Sequence, residues 1–445
     1  MFPRLTTILS LGALLVHNVL SEALDIPSSL IQRPNIQIGP YHTGKSFPVS
    51  AARDPNKLCR VKAERCKDSA PAILKAFKDC NHGGTVILDG NYTIASPLDL
   101  TFLDSIDVAI LGTIKFTDKW EYWVENSFKY AFQDSSTFWR FGGKDVNIFG
   151  HGLGTIDGNG QIWYNMAPYN STLLRPLLLM IDGLHGGSIS GLNLLNSPNW
   201  FSLYHNSSDL LISDMNLLAF STNSTVNPRN TDGFDTLRTS NVIIQNSVVH
   251  NTDDCVSFKP NSSSIVVQNL QCHGSHGISV GSLGQYLGQV DIVEDLHIYN
   301  ISMANATDGA RLKVWPGIAP GETKNNVGGG GGYVKNVTYD LFQNVNNDWA
   351  IQIDQCYGVS NKTLCQEYPS NMTMSDVLIK NMSGTTSTKN DPKVGQLICS
   401  SPERCLNFRA TNITVRPPSG KSAQWTCSGF DTSGLEGFQC VGIQG

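Results

Sequence analysis

The sequence predicts an all-β protein, a single-domain right-handed parallel β-helix, on three observations. From about residue 105 a short theme recurs: two to four β-branched or apolar residues, then Asn, Asp or Gly, then another apolar pair. The punctuating residues Gly191, Asp214, Asn246, Asn269 and Asn300 lie 23, 32, 23 and 31 apart, and periods of about 20–50 residues mark solenoids, propellers or arrays. Charged residues make up only 16% of the 445, and the 37 Asn outnumber Lys and Arg together, which total 32. That composition excludes a coiled coil and a charge-rich disordered chain.

The elements follow in chain order. Arg4 precedes an apolar run over 8–20, and Ser21-Glu22-Ala23 offers a small-x-small cleavage site. The run is shorter than the roughly 20 apolar residues of a membrane span, so 1–23 reads as a secretory signal peptide. Residues 24–445 are then the β-helix. Over 69–80, Ala70, Ile73, Leu74, Ala76 and Phe77 line one helical face. A helix there would cap the open end of the solenoid. Beyond it come short β-branched strands such as those in Val146-Asn-Ile-Phe-Gly150, Leu211-Ile-Ser-Asp214 and Ile265-Val-Val-Gln-Asn269. Asn, Asp and Gly stand where the backbone must turn through the left-handed region. Leucine-rich, WD and kelch spacings are absent. The five glycines at 328–332 read as a loop between coils, with no Lys-Ser/Thr to make a phosphate cradle.

Asn-x-Ser/Thr sequons at 91, 170, 206, 223, 261, 300, 305, 336, 361, 371, 381 and 412 agree with secretion, as do eleven cysteines without zinc-ligand spacing. Sequence neighbours suggest disulfides Cys255–Cys272, Cys356–Cys365, Cys399–Cys405 and Cys427–Cys440. Cys59, Cys66 and Cys80 share one further bond, either Cys59 or Cys66 pairing with Cys80, and one thiol is left over. A net charge of -5 and a pI near 6.0 give no case for nucleic acid or an anionic membrane. No cofactor and no metal are expected, and a monomer is expected.

Carboxylates are scarce, so their clustering carries information. Asn230-Thr-Asp232 is followed 21–22 residues later by Asp253-Asp254, and Gly274-Ser-His276-Gly277 places its His 22 residues past Asp254. Residues one period apart stack about 4.8 Å apart on one face of a solenoid. Arg311-Leu-Lys313 begins 35 residues past His276, which fits one longer coil. Crowded like charges raise at least one carboxyl pKa and keep it protonated. Glycoside hydrolysis needs this division: one acid protonates the leaving oxygen and another carboxylate activates water. Arg311 and Lys313 would supply a basic pocket for a substrate carboxylate.

These four motifs resemble the signatures of the polygalacturonases, glycoside hydrolase family 28. The resemblance implies a right-handed parallel β-helix that hydrolyses α-1,4-galacturonosyl bonds of pectin with inversion. It implies Asp253 as general acid, Asp232 and Asp254 holding and deprotonating water, and His276 tuning the acid. Arg311 and Lys313 would bind the galacturonate carboxylate, and Tyr357 of Gln355-Cys-Tyr357 is the match for a substrate-binding Tyr. Residues 248–261, 272–286 and 308–317 resemble fungal exopolygalacturonases, which implies attack from the non-reducing end and polygalacturonate or pectin oligosaccharides as partners. Exo attack needs a wall across the groove, for which 159–176, 206–230 and 315–333 offer material. An endo-acting polygalacturonase, a calcium-dependent pectate lyase and a non-catalytic carbohydrate-binding solenoid are the competing readings.

Overall fold

The computed structural model describes residues 26–64, 66–324 and 326–442; the expected signal segment lies outside them. Twenty-six strands join in one array of parallel pairings, and three short strands form a separate sheet. The array is the expected right-handed parallel β-helix. Its core is a set of inward columns, one residue per coil. Phe234, Val256, Ile278, Ala310 and Ile351 form one column. Leu210, Val242, Ile265, Leu296, Val337 and Val377 form a second, and Leu217, Val249, Cys272 and Met303 a third. Every one of them is at most 2% exposed, and burying each large aliphatic stabilises the stack by about 1.5–3 kcal/mol.

The corners explain the asparagines. Gly191, Asp214, Asn246, Asn269 and Asn300, the residues that set the sequence period, all have φ between 52° and 61°. Asn and Asp tolerate this region better than other L-residues. Their side chains also bond from coil to coil: Asn300 Nδ2 donates to Asn269 Oδ1 at 2.7 Å, and Asn269 Nδ2 to Asn246 Oδ1 at 3.2 Å.

The capping helix spans Ala70–Cys80 and buries Ala70, Ile73, Ala76 and Phe77. Cys80 pairs with Cys59, leaving Cys66 as an exposed thiol, and the four other disulfides are those suggested by sequence. The glycine run is only partly a loop. Gly331 and Gly332 open the strand Gly331–Asn347, and a Cβ on Gly332 would lie 1.9 Å from Asp291 O. Close stacking on the neighbouring coil demands glycine there.

Candidate active site

Asp232, Asp254, His276 and Asp308 take equivalent places on successive coils, each two residues before the paired Phe234, Val256, Ile278 and Ala310. Backbone bonds lock the phase: Gly233 N donates to Asp254 O at 2.9 Å and His276 N to Asp253 O at 2.8 Å. The sequence spacing made Arg311 the successor of His276. The successor is Asp308, 32 residues on. Arg311 stands three residues further along the strand Asp308–Val314, in the column Asp235, Ser257, Ser279, Arg311.

This phasing brings the expected residues together. Carboxylate oxygens of Asp232, Asp253 and Asp254 lie within 4.8 Å of one another. Each acid has its own cation. His276 Nδ1 is 3.2 Å from Asp253 Oδ1. Lys313 Nζ is 2.5 Å from Asp254 Oδ2, Arg311 Nη1 is 3.6 Å from Asp254 Oδ1, and the Ser279 hydroxyl donates to Oδ1 at 2.7 Å. Lys259 Nζ is 3.4 Å from Asp232 Oδ2. Tyr357 places its ring 5.9 Å from Arg311 and 5.7 Å from Lys313 and packs edge-on against Trp315.

The acids differ in environment. Burial, then the charges of Asp253 and Asp235, push the Asp232 carboxyl well above the usual range. Burial also acts to raise Asp253, but the hydrogen bond and charge of His276, followed by Lys313, hold it below that range. Burial acts to lower His276, and the bond to Asp253 outweighs it and raises the imidazole. These environments push the two carboxyls apart, Asp232 toward its protonated form and Asp253 toward its ionised form beside His276.

A triad of acids at this separation could by distance hold a divalent ion. The donor set does not fit one: Lys259, Lys313, Arg311 and His276 already neutralise the carboxylates and would repel a second cation.

The cleft over these residues has a volume of about 680 Å³. Arg311, Lys313 and Tyr357 stand on coils later than the acids. Alongside the cleft stands a wall, the separate sheet, rooted on an earlier coil and reaching the coil of His276 at its tip. Its strand Phe128–Tyr130 pairs antiparallel with Ser135–Thr137, which pairs with Pro176–Leu177. The hairpin tip places Gln133 and Asp134 in the cleft, and Ser171 to Arg175 of the segment leading into Pro176 line it beside Trp200. Gln133 Nε2 donates to Gln285 Oε1 at 3.3 Å and Phe132 faces Tyr286, so the tip is tied to the far bank. Gln133 and Asp134 have φ of 49° and 46°, a conformation that non-glycine residues hold only when their surroundings dictate it. The root is held by Tyr130, which donates to Asp182 at 2.8 Å.

The model of the glycosyl hydrolases family 28 matches residues 80–436. The chain belongs to that family. It is similar to exopolygalacturonase A of Aspergillus niger, 51% identical over 422 residues that cover 94% of this chain and 97% of the relative. Exopolygalacturonase X-2 of Emericella nidulans is 51% identical over 417 residues, 92% of each chain. Among solved structures, the endo-xylogalacturonan hydrolase from Aspergillus tubingensis aligns with a TM-score of 0.77 at 33% identity, over 86% of this chain and 99% of that one.

In this family-28 chain, sequence reasoning missed four parts of the site. Lys259 lines the cleft but reads as the end of a strand before Pro260. Asp235 is fully buried and neither of its oxygens has a hydrogen-bond partner. Asn230 donates to Asp253 Oδ2 at 3.2 Å while accepting from Arg175 at 2.6 Å, which fixes the orientation of its amide. The hairpin over 128–137 lay outside the three segments considered for the wall. Of those three, 159–176 contributes Ser171 to Arg175, and 206–230 contributes Asn230 to the cleft.

Proposed function

We propose that this protein is an exopolygalacturonase, hydrolysing α-1,4-galacturonosyl bonds of polygalacturonate from the non-reducing end to release galacturonic acid. The observation that carries the reading is the position of the wall. Arg311 and Lys313 suit the carboxylate of the sugar on the leaving-group side, and they lie on later coils than the acids. The sugar on the other side of the scissile bond therefore faces the earlier coils, where Ser171 to Arg175 stand beside Trp200 and the hairpin is rooted. A chain can seat only its non-reducing terminus there.

The chemistry follows from the geometry. Bound substrate excludes water, and a charged His276–Asp253 pair loses its solvation. The pair then favours its neutral form, with the proton on Asp253 and ready for the glycosidic oxygen. Asp232 in its ionised form accepts the proton of the attacking water. Asp254, held by Lys313, Arg311 and Ser279, orients that water and balances the basic pocket. Tyr357 would pack against the sugar whose carboxylate Arg311 and Lys313 hold.

Residues 1–23 serve as a signal peptide in this reading, and the five disulfides suit an oxidising, extracellular setting. The test is an assay of products on polygalacturonate with and without chelator. Galacturonic acid should be the first and main product, and chelator should change nothing. An unsaturated product that needs calcium would replace hydrolysis by elimination, and no product at all would leave a binding solenoid.

A further inference from the structure

We propose that Lys259 is a positioning residue for proton transfer: clamped between Asp232 and Asp235, it offsets the like charges around Asp232, so that this carboxyl can give up its proton, and keeps it aimed at the attacking water. The inference rests on the hydrolase reading above and adds a residue to it. Lys259 follows the strand Val256–Phe258, and its backbone N donates to Thr236 O at 2.8 Å. Its side chain is only 4% exposed, yet it lines the cleft, crossing the face of Trp200 at 4.6 Å. The ammonium lies 3.4 Å from Asp232 and 3.5 Å from Asp235.

The division of charge around it makes the case. Asp253 faces His276, and Asp254 faces Lys313 and Arg311. Among the described residues, Lys259 is the cation in ion-pair contact with Asp232. Three more carboxylates, Asp253, Asp254 and Asp235, face Asp232 from its own and the next coil, and Arg175 faces it more distantly from the wall. Remove Lys259, and Asp232 would sit buried among like charges that nothing offsets, and would hold its proton more tightly still. In that form it could not take the water's proton.

Asp235 completes the device. It is wholly buried without a hydrogen bond, and Lys259 is its ion-pair partner. A buried, unsatisfied carboxylate is costly and needs a compensating role. Burial pushes its carboxyl up to about 7 against the pull of Lys259; in its ionised form it anchors the ammonium from behind.

Two substitutions test this in opposite directions. Lys259→Met should move the acid limb of the kcat–pH profile upward by about one unit or more, the usual effect of one close charge. It should cost on the order of 10²-fold in kcat, with little change in KM, and Lys259→Arg should restore much of the limb. Asp235→Asn removes a repelling charge from Asp232 and should move the acid limb downward. Infrared difference spectra of the carboxyl band, referenced to Asp232→Asn, should show the same opposite shifts in the absence of substrate. If wild-type protein released no galacturonate while these spectra shifted, the hydrolase reading would fall and the clamp would stand. A carboxyl titration that stays put in folded Lys259→Met and Asp235→Asn would overturn the proposal. So would a raised KM at unchanged kcat, which would make Lys259 a substrate ligand.

Discussion

His276 Nδ1 stands 3.2 Å from Asp253 Oδ1, on the coil next to it. The pair shares one proton, and where that proton rests decides whether Asp253 can act as an acid.

The pH profile should report this pair and Asp232. In the proposed mechanism the base, Asp232, must be ionised, so rate should be lost as pH falls through its carboxyl pKa, which is raised. The acid pair must hold a proton, so rate is lost as pH rises through the raised imidazole value of His276. A bell should result, with its acid limb above the ordinary carboxylate range. His276→Gln keeps a hydrogen bond to Asp253 but removes the titrating ring, so the alkaline limb should drop by at least one unit. Measuring kcat/KM against pH on trigalacturonate checks both limbs, and an alkaline limb that ignores the substitution would remove His276 from the acid.

The anomeric configuration should invert. Inverting glycosidases usually separate their carboxyl groups by about 6.5–9.5 Å to admit water, whereas here the nearest oxygens lie within 4.8 Å. Stacking on adjacent coils imposes that spacing, so the water must sit beside the acids rather than between them. Neither Asp232 nor Asp254 is free to attack carbon. Asp254 has both oxygens engaged by Ser279 and Lys313, and Asp232 is 3% exposed and tied to Lys259. Proton NMR of the freshly released sugar should show the β-anomer. A first product in the α-form would mean a covalent intermediate.

Arg311→Ala and Lys313→Ala should raise KM for galacturonate oligomers by an order of magnitude or more, since each removes a charge-assisted contact. Lys313→Ala should also lower kcat, because Asp254 would lose its shortest cation contact. Initial rates on di- and trigalacturonate separate the two effects. If KM holds in both variants, the pair serves Asp254 alone.

The period, the corners and the in-phase acids were legible because repetition writes them into the sequence several times. Gly191, Asp214, Asn246, Asn269 and Asn300 each solve the same backbone problem, and Asp232, Asp254 and His276 inherit its register. What stayed hidden breaks the repeat. Arg311 looked like the partner of His276 because a strand position and a coil length add to the same spacing. Lys259 and Asp235 are single charges with no pattern around them, and only the folded coils show that they meet. The hairpin over 128–137 pairs antiparallel outside the array, so no period announces it.

That hairpin carries the last prediction, the mode of attack. Its tip, Phe132–Asp134, is a tight turn through left-handed backbone held at both ends. Tyr130 and Arg140 fix the root to Asp182 and Asp99, and Gln133 and Phe132 meet Gln285 and Tyr286 across the cleft. Replacing residues 131–134 by Asn-Gly keeps the strands Phe128–Tyr130 and Ser135–Thr137 in a two-residue hairpin, which that dipeptide favours. The acids, their cations and the Arg311–Lys313 pocket would be untouched. The shortened variant should therefore still hydrolyse polygalacturonate, but from an opened groove. Oligomers should appear beside galacturonic acid, and viscosity should fall faster per bond cleaved than with the wild type. Gln133→Ala with Tyr286→Ala should give a weaker version of the same change, since it unties the tip without removing it. Product chromatography and viscometry at equal reducing-end yield would decide. Should the shortened variant keep full activity and still release only monomer, the wall must lie elsewhere, and Ser171 to Arg175 beside Trp200 would be the segment to open next.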